Sequence, residues 1–196
     1  MKRFLFTAIL IGFSCLSFSQ NSRSQDSLEL LLKKSKGNDQ ISLLNQLSLV
    51  YLQTSVNKAF STAYKAHKQA SLSNNSELIS NTYFNLGVLH NQISNYDSAK
   101  IYYKNALKIS KNNENAILII DNLGVLYKDL SKYDSSLFYH NQALKLKQTI
   151  DNKLAQAITY NNIANVYYQM KKYDLALENY NISLEIRKAS NDKIGI

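Results

Sequence analysis

Apolar residues recur three or four apart through most of this chain, and the stretches that carry them alternate with short polar turns. Between Glu77 and Ile93 the stripe is Ile79, Tyr83, Leu86, Gly87 and His90, which is the pattern of one face of an α-helix. Ser94-Asn95 breaks it, and Tyr96-Asp97 opens a second stripe of Ala99, Tyr103 and Ala106, with the aspartate placed where a helix N-terminus favours negative charge. The spacing therefore predicts two antiparallel helices.

The same pattern returns twice. Ile120, Leu123, Gly124 and Tyr127 precede Ser131-Lys132 and then Tyr133-Asp134, Ser136, His140 and Ala143; Tyr160, Ile163, Ala164 and Tyr167 precede Lys171-Lys172 and then Tyr173-Asp174, Ala176, Tyr180 and Ser183. Leu86-Gly87, Leu123-Gly124 and Ile163-Ala164 stand 37 and 40 residues apart. A weaker copy lies upstream, with Leu44, Leu47, Ser48 and Tyr51 in its first helix and Ala59, Ala63 and Ala66 in its second. A fixed period of about 20 to 50 residues marks a stack of like units, none of which buries its apolar face alone. The small residues act sterically. Gly87, Gly124 and Ala164 let the first helix approach its partner, so a large residue at Gly124 is expected to force the pair apart.

The boundaries follow. Residues 40–190 hold four helix-hairpin repeats, and residues 20–39 a linker and a capping helix in which Leu28, Leu31 and Leu32 face the first repeat and Gly37-Asn38 ends the helix. Residues 191–196 read as the start of a further repeat. With no Pro and five Gly the chain has few helix breakers, so the fold class is all-α.

Residues 1–19 have a different character. Lys2 and Arg3 precede an apolar run from Phe4 to Phe18, and small residues follow at Ser17 and Ser19, the layout of a signal peptide cleaved before Gln20. An uncleaved anchor and a lipidated Cys15 are the competing readings of that segment. The expected location is periplasmic or at the cell envelope. Cys15 is the one cysteine, so the mature chain would hold no disulfide and depend on helix packing.

The net charge of +9 falls to 21 basic against 14 acidic residues once Lys2 and Arg3 are removed. Lys100, Lys104, Lys108, Lys145, Lys147 and Lys188 are spread along the second helices as on a solvated face, and no nucleic-acid module is visible, so no nucleic-acid partner is expected. His67, His90 and His140 are isolated, and no His-Glu-x-x-His, paired-cysteine or phosphate-loop spacing occurs. Neither catalysis nor a metal or cofactor is expected.

The Leu-Gly-x-x-Tyr and Ala-aromatic-Ala positions together resemble the tetratricopeptide repeat family over about residues 40–190. The resemblance implies a right-handed superhelical solenoid of antiparallel helix pairs, and it makes His90 and His140 packing residues. Departures are the missing Pro after each second helix and a period above the family's roughly 34 residues, which longer helices would explain. In the family the first helices line a concave face. Projected here, that face holds Asn45, Gln46, Phe84, Asn85, Val88, Asp121, Asn122, Val125, Lys128, Asn161, Asn162, Asn165 and Tyr168. Gln46, Asn85, Asn122 and Asn162 recur at one level, and carboxamides can pair with the main chain of an extended peptide without demanding a sequence, although they could equally bind neighbouring helices or face water. Lys128, opposed by Asp121, is the one cation there, too few for a clamp on a chaperone's carboxyl terminus. The implied function is an exported scaffold for a protein or extended peptide. The order of signal peptide, Asp-Ser-Leu helix and Tyr-Asp repeats is also similar to the extracytoplasmic part of Bacteroidetes-type sensor histidine kinases and transcriptional regulators, which makes a truncated sensory region, with possible membrane association through an uncleaved signal or a missing C-terminal region, the alternative.

Overall fold

The computed structural model describes residues 25–110 and 113–192. The expected signal peptide with Cys15, and residues 193–196 of the expected further repeat, lie outside the described residues. Those described form helices joined by short turns, without a strand among them: α1 over residues 25–34, α2 Gly37–Tyr51, α3 Val56–Leu72, α4 Ser76–Gln92, α5 Tyr96–Ile109, α6 Asn113–Asp129, α7 Tyr133–Thr149, α8 Lys153–Gln169 and α9 Tyr173–Ala189. No helix among the described residues is long and apolar enough to cross a membrane. The chain forms two compact units, Met1–Leu89 and His90–Ile196.

Side-chain caps open α3, α4, α5 and α8. Ser55, Asn95 and Asn152 accept at their side chains from the N–H groups of Lys58, Ser98 and Ala155, and Asn75 Oδ1 accepts from Glu77 and Leu78, so orphan donors of the first turns are satisfied. The far ends of α4, α6, α7, α8 and α9 close with a left-handed residue. Ser94, Ser131, Asp151, Lys171 and Asn191 all have φ between 50° and 59°. In each case its N–H and the next one turn back to the helix: Lys171 to the Tyr168 carbonyl at 2.9 Å and Lys172 to that of Tyr167 at 2.9 Å, for example. A side chain in this conformation costs energy that glycine avoids. Lys171→Gly should therefore stabilise the α8–α9 hairpin by about 0.5–1 kcal/mol, read as a higher midpoint in thermal unfolding.

In the first unit α3 packs on α2; Ala59, Ala63, Ala66 and Ala70 of α3 are fully buried, and Leu44, Leu47 and Tyr51 of α2 are buried with them. The Tyr51 hydroxyl donates to Glu29 of α1 at 2.8 Å, and burial together with that carboxylate pushes the phenol up to about 12. The capping helix stops before Ser35, and Gly37, with φ +59°, is the first residue of α2 rather than a terminator standing alone.

In the second unit, α6 pairs with α7 and α8 with α9. Ser136 and Ser183 stand where Ala99 and Ala106 stand in α5, and each commits its hydroxyl to the partner helix: Ser136 to the Gly124 carbonyl and Ser183 to the Ala157 carbonyl, both at 2.7 Å. Such bonds demand close helices. The unequal periods of 37 and 40 residues trace to the second helices, since α5 has 14 residues and α7 has 17.

Candidate functional site

Asp121 of α6 is almost completely buried, a position a carboxylate holds only when its charge is met. Three side chains from two other helices meet it. His140 Nδ1–H donates to Oδ1 at 2.6 Å, Lys147 Nζ donates to Oδ2 at 2.6 Å, and the Thr159 hydroxyl lies 3.1 Å from Oδ2. Lys147 also donates to Thr159 Oγ1 at 2.6 Å, so α6, α7 and α8 share one buried polar cluster. Burial would raise the Asp121 carboxyl, but the His140 bond and the Lys147 ammonium outweigh it and hold the group below the ordinary carboxylate range. Gln156 of α8 donates to the Lys147 carbonyl at 3.2 Å and ties down the end of α7.

Above this cluster the same helices leave a pocket of about 390 Å³. Glu114, Ile117, Leu118, Asp121, Asn122 and Val125 line it from α6, Lys147 and Ile150 from the end of α7, and Asn152, Ala155, Ile158 and Asn162 from the start and body of α8. Asp121 and Lys147 thus form a charge-compensated polar region in an aliphatic lining. Leu118, Ile150 and Ile158 are 46%, 41% and 49% exposed, so the pocket's edge offers apolar surface to solvent.

The projected concave residues part company here. Asp121, Asn122, Val125 and Asn162 line the pocket, whereas Asn45, Gln46, Phe84, Asn85 and Val88 belong to the first unit. Asn85 does not present its amide to solvent: it is buried and donates through Nδ2 to the Asn45 carbonyl at 3.1 Å and to Ser48 Oγ at 2.6 Å. It braces α4 on α2, and Asn45 Nδ2 returns a bond to the Asn81 carbonyl at 3.3 Å. The row of carboxamides therefore breaks at Asn85, because a neighbouring helix supplies its acceptors before any ligand does. Asn165 is also engaged within its repeat, accepting from the Tyr180 hydroxyl at 2.5 Å. Gln46 is exposed, Asn161 is half-buried, and Tyr168 is exposed with its ring edge-on to Tyr173.

Two charge assignments change. Lys147 leaves the solvated face expected of the second-helix lysines and is buried, and the cation that opposes Asp121 is Lys147, not Lys128, which lies 3.2 Å from Asp129 instead. The sequence carried a faint sign of it, for Lys147 continues the buried stripe of His140, Ala143 and Leu144 along α7. His140 is fully buried and His90 stacks on Tyr102 at 5.1 Å. Burial pushes the His67 and His90 imidazoles down, and His67 Nδ1 lies 3.0 Å from Thr82 Oγ1.

Paired helices with small residues at matched positions define a helical-repeat protein. Two family models described as tetratricopeptide repeat match residues 80–113 and 113–189, so the chain carries tetratricopeptide repeats through these residues. No curated protein matches the sequence. Among solved structures it is similar to BtubC (BKLC) from P. vanneervenii, with 24% identity over 87% of this chain and 72% of that one and a TM-score of 0.67. It is also similar to aspartyl phosphate phosphatase F from Bacillus subtilis, with 13% identity, 90% and 51% coverage and a TM-score of 0.75. A Rap protein complexed with competence and sporulation factor shows 15% identity, 88% and 60% coverage and a TM-score of 0.66. The chain spans about half to two thirds of the length of the last two. At these identities the likeness is one of fold.

Proposed function

We propose that this chain is an exported scaffold that binds a protein segment through the α6–α8 pocket. The observation that carries the reading is the pocket itself: large apolar side chains stand half in solvent around a cavity whose volume lies within the range of about 300–1,000 Å³ common to ligand sites. Asn162 and Asn122 flank that apolar surface with carboxamides suited to the main chain of a guest, Asn122 through its Oδ1, since its Nδ2 donates to the Leu118 carbonyl at 2.9 Å. The Rap protein, of like fold, is a precedent for a complex with another molecule, competence and sporulation factor.

Selection of a random-peptide display library on the purified chain tests it. Enriched peptides are expected to lose binding by about tenfold or more when Leu118→Asp and Ile158→Asp are combined, with helicity by circular dichroism unchanged. Asn122→Ala with Asn162→Ala should weaken the same peptides by about 1–2 kcal/mol, also without loss of helicity. Equal enrichment on the Leu118/Ile158 variant would remove the pocket from the function.

Export rests on the residue 1–19 pattern, and N-terminal sequencing of the mature chain should begin at Gln20. The sensory alternative, the input region of a membrane-bound kinase or regulator, rests on the Asp-Ser-Leu and Tyr-Asp pattern. Coding sequence beyond Ile196 that holds an apolar span of about 20 residues and an output domain would favour it over a free scaffold.

A further inference from the structure

We propose that the α6–α8 pocket selects an uncharged aliphatic or aromatic side chain carried on an internal residue of a protein segment, and rejects a carboxylate, including that of a chain terminus. This deepens the binding role above and rests on it. The walls set the first requirement, because Ile117, Leu118, Val125 and Ile158 favour burial of apolar surface and offer a charged tip nothing.

The charges set the second. The Lys147 ammonium and the Asp121 carboxylate stand paired in the lining, so the pocket offers no uncompensated cation. Lys147 is already neutralised by Asp121 at 2.6 Å, and a second carboxylate entering would give up its water without gaining an uncompensated cation. A guest cation fares no better. The Asp121 oxygens are committed to His140, Lys147 and Thr159, and pulling Lys147 off them would strand a buried charge.

The third requirement comes from donor counting. An ammonium has three N–H donors, and Lys147 directs two at Asp121 Oδ2 and Thr159 Oγ1 among the described residues. A neutral acceptor, the carbonyl of an amide bond, can take the remaining one without disturbing the pair. An apolar side chain flanked by amides meets all three conditions.

The test uses the smallest guest of that chemistry. N-acetyl-leucine N-methylamide is titrated into the full chain with isoleucine methyl groups labelled for NMR, in parallel with N-acetyl-leucine, which keeps a free carboxylate, and N-acetyl-alanine N-methylamide. The capped leucine should shift the Ile117, Ile150 and Ile158 methyl signals saturably, with an affinity about tenfold or more above either comparison compound. Ile158→Ala should weaken it several-fold, and Ile158→Asp, at a half-exposed site that leaves the fold intact by circular dichroism, should abolish it. Tighter or equal binding of the free acid overturns the proposal, as does a capped leucine that leaves all three methyl groups unmoved. If display-selected peptides still depend on Leu118 and Ile158 while the capped leucine fails, the selectivity proposed here is wrong and the binding role stands; if no peptide is selected either, the role itself falls.

Discussion

Asp121→Ala should destabilise the second unit by about 3–5 kcal/mol, since it strands the buried Lys147 ammonium on Thr159 alone and leaves the His140 Nδ1–H without an acceptor. The imidazole has no other outlet, its Nε2 being buried without a partner among the described residues. Removing both charges together is a milder change. Asp121→Leu with Lys147→Met should cost much less than Asp121→Ala, because no charge is left behind in an apolar site. Hydrogen exchange of the α6–α8 amides, together with urea unfolding followed by circular dichroism, reads the difference. A cost of Asp121→Ala no greater than that of an exposed substitution would show the cluster to be incidental.

The cluster also fixes a pH dependence. In the folded chain the Asp121 carboxyl titrates below its ordinary value of 3.8, so its contribution is complete above that value and is lost as pH falls through the depressed one. The wild type should therefore lose stability as pH falls below the ordinary 3.8 more steeply than Asp121→Ala does. Parallel slopes would contradict the assignment.

Gly124→Val carries the second large effect. A Cβ at this position would stand 2.7 Å from His140 Cε1 and Nδ1 and 2.8 Å from Cγ, distances that no side-chain carbon tolerates. The ring cannot swing clear, for it is fully buried and its Nδ1 is held by Asp121. Relief requires α6 and α7 to separate, at a cost of about 3 kcal/mol or more, with loss of the 2.7 Å bond from Ser136 to the Gly124 carbonyl. Gly124→Ala is the informative control. Alanine is favoured over glycine inside a helix by about 1 kcal/mol, so a net loss from that substitution isolates the steric term. Pairing it with His140→Ala in a double-mutant cycle should recover most of that loss, and strict additivity of the two would mean the clash is not the cause.

These two residues show how far the sequence reaches. Gly124 was legible as a close-approach position because it recurs with Gly87 and Ala164 in one register of an amphipathic stripe, and periodicity is a local property. Which side chain it meets was not legible; the resemblance marked His140 only as a packing position. That His140 is also bound to Asp121 depends on two helices meeting at one height. Lys147 was harder still. It lies among solvent-facing lysines by composition, and the acid that draws it inward is 26 residues away with no spacing rule linking them.

The pocket was half visible. Asp121, Asn122, Val125 and Asn162 stood on the projected face because the tetratricopeptide resemblance implies that positions around the small residue of a first helix point to the concave side. Ile150 and Asn152 entered from the turn after α7, whose placement follows from the 17-residue length of that helix and the left-handed Asp151. Asn85 shows the opposite case, a residue of the right type and phase that a neighbouring helix had already claimed.

The linear pattern alone determined that this chain is all-α, where its hairpins turn and which residues are small enough to be covered, because helix periodicity, capping and turn chemistry act over a few neighbours. Tertiary structure alone decided which polar groups are satisfied inside and which stay at the surface. Hydrogen-bond partners and buried charges are settled by distances between helices, and those depend on how every side chain in the interface packs at once.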